Sequence, residues 1–170
     1  EKNLRKAEKY LAIGEYYDAA TQFKTAYRKT PPKERAKRGQ RALKLAYCYD
    51  RINSSAKAVA AYANADRYKQ MGTQQRLAYA RQQLRIGAYK QAADNFRQVL
   101  DSLPDDIMAK NGLISAENAP LWKKEGSRYT VKRMDMFNSR RAEYSPVIAG
   151  DQHDRLYFTS TRNEAQGNEL

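Results

Sequence analysis

The 170-residue chain is 41% hydrophobic and 30% charged, so it can bury a core. No apolar run approaches the roughly 18 residues that a membrane-spanning helix needs. One cysteine, Cys48, and one histidine, His153, exclude an internal disulfide and leave no Cys- or His-based metal set and no support for Ser–His or Cys–His catalysis. The net charge is +13, and the excess lies in the first two thirds: 22 Lys/Arg against 9 Asp/Glu up to Pro104, then 10 against 10. The densest part, Arg28 to Lys44, holds eight basic residues against Glu34 alone. Such a surface draws anionic partners or keeps a domain in solution. The chain begins at Glu1 with neither an initiator methionine nor a signal-type segment; a mature or trimmed product would begin this way too, so the absence says nothing about targeting.

In chain order, three segments align: "GEYYDAATQFKTAYRKTP", "NSSAKAVAAYANADRYKQ" and "GAYKQAADNFRQVLDSLP". Each opens on a helix breaker or cap: Gly14, Asn53, Gly87. Alanine follows at Ala19, Ala58 and Ala92, an aromatic at Phe23, Tyr62 and Phe96, then a small or branched residue at Ala26, Ala65 and Val99. Proline closes the first and third, at Pro31 and Pro104. A helix precedes each segment, with Ala7, Ala46 and Ala80 at one matched site and Tyr10, Tyr49 and Gln83 at another. Each unit therefore reads as helix, tight turn, helix. Small residues let the two helices approach, and the aromatic fills the wedge where they diverge. Cys48, inside the helical stretch "ALKLAYCYDR", reads as a buried, inert thiol.

This alanine–aromatic–alanine pattern resembles the tetratricopeptide repeat. Units two and three are offset by 34 residues, the family period, and units one and two by 39, with about five residues inserted around "PPKERAKRGQ". The family's early Trp and Leu-Gly positions are filled instead by Asn3, Lys6 and Ala7. The expected fold is mainly α: a solenoid of three helix pairs (about 1–32, 39–70 and 73–104) and a capping helix over 105–118, together spanning 1–118. Asp105 and Asp106 suit the cap's N-terminus, and Ile107, Leu113 and Ile114 are expected to cover the end of unit three.

The resemblance implies a non-enzymatic domain, without cofactor or metal, that holds proteins or peptides along its first helices. Mapped onto this chain, the groove positions are Leu4, Glu8, Gln40, Leu43, Lys44, Tyr47, Arg51, Gln74, Leu77, Arg81 and Arg85. Such a groove suits an acidic, partly apolar segment. Chaperone-binding members clamp a terminal carboxylate with paired Lys and Asn; here Leu4, Arg5 and Glu8 stand in the first unit, so that clamp is not expected. A basic module for an anionic polymer (nucleic acid, lipid headgroups or wall polymer) is the alternative. Nucleic acid is disfavoured, because Tyr10, Tyr49 and Tyr62 fall on packing positions rather than on a stacking surface.

Residues 119–127 read as a linker, with Trp122 packing back on the cap, and "RYTVKRM" reads as a strand. In "AEYSPVIAGDQHDRLYFTSTR", Tyr144, Val147, Leu156 and Phe158 alternate with polar neighbours around a Gly150–Asp154 turn, the signature of a β-hairpin. His153 sits in that turn, facing solvent. The phrase "YSPV…LYFTSTR" resembles the opening blade of a TolB-like β-propeller, and the resemblance implies that 128–170 is the start of a truncated propeller. Repeats followed by such a blade resemble the PorE-type envelope proteins of the Bacteroidetes type IX secretion system, in which an OmpA-like domain follows. The resemblance implies a periplasmic, outer-membrane-associated scaffold, with secretion-system envelope proteins as partners and peptidoglycan reached only through a domain beyond these residues.

Overall fold

The computed structural model describes residues 2–126 and 128–163. It divides into two compact units, separated in sequence after Gly126. The first holds seven helices: α1 (Lys2–Ala12), α2 (Tyr16–Lys29), α3 (Arg35–Arg51), α4 (Ser55–Arg67), α5 (Thr73–Arg85), α6 (Tyr89–Ser102) and α7 (Ile107–Glu125). Consecutive helices pack on one another in chain order, and α5 also reaches α7.

The turn between the helices of each pair repeats in atomic detail. Gly14, Asn53 and Gly87 all adopt left-handed backbone, at φ 79°, 55° and 78°. In each, the following peptide N–H donates back into the first helix: Glu15 to Tyr10, Ser54 to Tyr49 and Ala88 to Gln83, all at 2.9 Å. That closure satisfies a helix-end carbonyl and reverses the chain, and it demands a residue that tolerates positive φ. Glycine and asparagine supply it.

The matched alanines Ala7, Ala46, Ala80, Ala19, Ala58 and Ala92 are all fully buried, as are Phe23, Phe96 and Val99, with Tyr62 nearly so. Two apolar clusters result, one around Phe23 and Tyr62 and one around Phe96. Gly112 of α7 lies so close to the Phe96 ring that a Cβ there would overlap it. Polar links tie the pairs together: Arg76 of α5 donates to Asp66 of α4 at 2.8 Å and to Asn95 of α6 at 2.7 Å. Asn95 in turn donates to Gln83 at 2.8 Å.

The insertion before unit two becomes helix. α3 has 17 residues against 13 in α5, and the extra turn sits at its N-terminus. Two arginines of the basic stretch are structural. Arg38 donates to the carbonyl of Thr30 at 2.7 Å, and Arg41 to the carbonyl of Ala26 at 3.2 Å and to the Thr30 hydroxyl. They add donors to the carbonyls at the C-terminal end of α2, where positive charge is favourable; the Ala26 carbonyl also accepts from the Thr30 hydroxyl at 2.8 Å. Arg38 also stacks over Tyr27, 4.5 Å from the ring centre. Cys48 is fully buried, and burial, with the nearby Glu8 charge, pushes its thiol up to about 11.

Beyond unit three the structure departs from the sequence expectation. Asp106 caps α7 by accepting from the Ala109 N–H at 2.8 Å, but the helix runs to Glu125 rather than ending near 118, so most of the expected linker is helical. Pro120 is carried inside it, forfeiting one backbone hydrogen bond. Gly126, at φ 74°, ends the helix. Leu113 packs against the Phe96 cluster, whereas Ile107, Ile114 and Trp122 stay exposed, at 72%, 55% and 56%. The end of unit three is covered instead by Ala109, Ala116 and Gly112, because small residues let α7 lie closer than isoleucine permits. No helix among the described residues is long and apolar enough to cross a membrane.

In the second unit, β1 (Glu143–Ala149) and β2 (Arg155–Ser160) form one antiparallel hairpin. The register pairs Glu143 with Ser160 and Ala149 with Arg155, and it slips between Tyr144 and Val147, where Ser145 takes φ 54° before Pro146. Gly150, at φ 93°, and exposed His153, at φ 55°, shape the turn. "RYTVKRM" forms no strand: a strand needs a ladder partner for its backbone groups, and none pairs with it among the described residues. A polar hub joins the hairpin to the segment before it. Glu143 accepts from the Ser139 hydroxyl, from Ser160 Oγ at 3.3 Å and from Arg162 Nη2 at 3.0 Å. Arg162 also donates to the carbonyl of Phe137 and lies 5.4 Å from the centre of the Phe158 ring.

Candidate functional site

Two helices supply most of the lining of a broad concavity in the helical unit. On α3, Gln40, Lys44, Tyr47 and Arg51 recur at spacings of four, three and four, which places them on one helical face. On α5, Gln74, Ala78, Arg81 and Arg85 repeat that spacing one 34-residue period later. The repeat therefore sets two matched faces side by side. They line a groove of about 950 Å³, completed by Leu43, Asp50, Asn53, Tyr62 and Gln75.

Of the residues expected from the sequence, Gln40, Leu43, Lys44, Tyr47, Arg51, Gln74, Arg81 and Arg85 line this groove. Glu8 does not, but its carboxylate forms an ion pair with Lys44 at the groove wall. That pair is about half exposed on both sides, so it is worth at most about 1 kcal/mol and yields readily to a competing anion. Leu4 and Leu77 belong to the apolar clusters instead. Asp50, Asn53, Tyr62, Gln75 and Ala78 were missed. The spacing rule that finds Arg51 and Arg85 points along one face of α3 and α5, whereas Asp50 and Tyr62 enter from beside that face.

Electrostatically, the groove sets four cations against one lining carboxylate, Asp50. Asp50 is already engaged, accepting from Gln82 Nε2 at 2.6 Å. The cations differ in commitment. Arg51 stacks 5.3 Å from the centre of the Tyr16 ring, and that ring meets Tyr47 edge-on at 6.0 Å. Arg85 donates to Asn53 at 3.2 Å. Arg81 has no ion pair or hydrogen bond among the described residues. Tyr47 is 45% exposed and offers an apolar ring with a polar tip. Burial, and then the neighbouring Tyr16 phenol, raises its phenol above the ordinary value. Tyr62 is raised by burial and by the Asp50 charge, so both phenols stay neutral and can donate as well as accept. The arrangement can hold an anionic chain against aromatic and aliphatic surface. Among the described residues no three His, Cys, Asp or Glu side chains cluster as a metal site.

Solved structures carry the same architecture. The chain is similar to the first TPR domain of human RPAP3, with a TM-score of 0.55 and 18% identity over 74% of this chain and 94% of that one. It is likewise similar to the TPR domain of Sgt2 from Aspergillus fumigatus, with a TM-score of 0.55 and 14% identity over 82% of this chain and 90% of that one. No protein-family model and no curated protein sequence matches it. At these identities the likeness establishes the fold: a tetratricopeptide-type helical array, followed in this chain by a two-stranded antiparallel hairpin.

Proposed function

We propose that this chain is a non-enzymatic protein-interaction scaffold whose α3–α5 groove takes an acidic, partly apolar segment of a partner protein. The observation that carries this reading is the groove itself. Matched faces of two helices present Lys44, Arg51, Arg81 and Arg85 around the half-exposed Tyr47 ring, and the one lining carboxylate is tied to Gln82. Tetratricopeptide domains generally hold proteins or peptides, and no lining residue here is paired as a nucleophile with a base. The energy of such recognition comes from desolvated aromatic contact, while the cations set choice of partner and association rate.

The scaffold works in the cell envelope, as a periplasmic, outer-membrane-associated component of a PorE-type, type IX secretion assembly. Support comes from the "YSPV…LYFTSTR" hairpin, whose apolar residues Tyr144, Val147, Ile148 and Tyr157 are each more than half exposed. A two-stranded hairpin with uncovered apolar faces needs further strands beside it to be stable in water, as a propeller blade supplies. Peptidoglycan contact would belong to an OmpA-like domain elsewhere in such a protein. Fractionation of the native protein tests this placement. Recovery with the outer membrane and peptidoglycan is expected; recovery in the cytoplasmic fraction would overturn it.

A further inference from the structure

A separate cavity of about 510 Å³ lies between α2, the end of α3 and the start of α4, and it shares no lining residue with the groove. One face of α2 forms a wall with Tyr17, Thr21, Lys24, Thr25 and Arg28 at helical spacing; Tyr49, Ile52, Ser54 and Lys57 close the other side. No carboxylate lines it. Lys24, Arg28 and Lys57 make no ion pair among the described residues, although seven other basic side chains of the chain do. Three solvent-exposed cations, one of them (Lys57) 5.8 Å from the centre of the Tyr49 ring, thus border one small cavity whose lining holds no counter-charge.

We propose that this cavity is a binding site for a phosphate monoester. The donors are Arg28, Lys24, Lys57 and the hydroxyl of Ser54, which caps α4 in position but makes no side-chain capping bond. The threonines contribute shape rather than donors, because Thr21 and Thr25 already donate to the carbonyls of Tyr17 and Thr21, at 3.1 and 3.0 Å. Three positive charges exceed what a single carboxylate requires and match a dianion, and a guanidinium beside ammonium groups is the usual phosphate set. The Tyr17 and Tyr49 rings, with Ile52, give the ester's organic group an apolar wall. The size of the cavity leaves room for that group besides the phosphate.

Isothermal titration of the 170-residue chain with phenyl phosphate and with inorganic phosphate tests the site. Phenyl phosphate is expected to bind saturably, and Arg28→Gln with Lys57→Gln to weaken it by about tenfold or more, since each removes a charge-assisted contact. Arg81→Gln with Arg85→Gln, in the groove, should leave it unchanged. Equal affinity for inorganic phosphate would assign the site to the free ion and not to its esters. No saturable binding of either probe, or binding that the Arg28 and Lys57 substitutions leave intact, would overturn the proposal. The groove reading would stand in either case, because the two sites have no residue in common.

Discussion

The helical unit and the hairpin unit hold themselves together by different means. From Lys2 to Gly126 the chain buries a repeated set of alanines and one large ring per pair. From Arg128 to Asn163, by contrast, no described residue is buried. There, order comes from a ladder and from the Glu143–Arg162 hub, with Ser139 and Ser160 gathered round the carboxylate. The first unit is stabilised chiefly by packing, which is cooperative and responds less to pH than its ion pairs do. The second is stabilised by charge and hydrogen bonds, and so is open to pH.

The difference can be pressed at several points. The largest effect belongs to Phe96→Ala, which empties the centre of the second cluster and should cost about 3–5 kcal/mol. Thermal unfolding followed by helical circular dichroism measures it. Next comes Gly112→Ala. Helix propensity favours alanine by about 1 kcal/mol, but the new methyl would overlap the buried Phe96 ring. The overlap should win, for a net loss of about 1–2 kcal/mol in chemical denaturation. A stabilised variant would show that α7 rests on unit three more loosely than the structure has it. Asp106→Ala removes the α7 cap and should cost about 1 kcal/mol in the same assay.

The hairpin should answer to acid. The Ser139 hydroxyl foremost, and then Arg162, hold the Glu143 carboxyl well below its ordinary 4.5, at about 2. A depressed folded-state value gives stability that is fully present above the ordinary value and lost as pH falls through the folded one. The hub should therefore weaken between pH 4.5 and 2 while the helical signal in that window changes less. Proton NMR of the Tyr144 and Tyr157 rings reads the hairpin directly. Glu143→Gln should flatten the transition, and an unaltered acid transition in that variant would place the cause elsewhere.

What could be read in the sequence follows the same division. The repeat was legible because packing imposes a period: the positions of Gly14, Asn53 and Gly87 are fixed by a turn that needs positive φ, and those of Ala19, Ala58 and Ala92 by close helix approach. The groove faces were legible for the same reason, since Tyr47 and Arg81, like Arg51 and Arg85, stand one period apart. What escaped has no period. Arg38 and Arg41 read as free surface charge, and their work at the end of α2 depends on where that helix stops. Asp50 and Tyr62 enter the groove from beside the expected face, and Gly112 looks unremarkable until Phe96 is set against it. The continuation of α7 through Pro120 overrides a local signal that normally ends a helix.

The claim most exposed to test is that the α3–α5 groove selects an acidic segment. A peptide-display library selected on the intact chain, followed by titration of the enriched peptides, addresses it directly. The expected peptides are rich in Asp and Glu with interspersed apolar residues; their affinity should fall with added salt and drop by about tenfold or more in Arg51→Gln/Arg81→Gln/Arg85→Gln. Enriched peptides without acidic bias, or binding that the triple substitution leaves unchanged, would contradict the account.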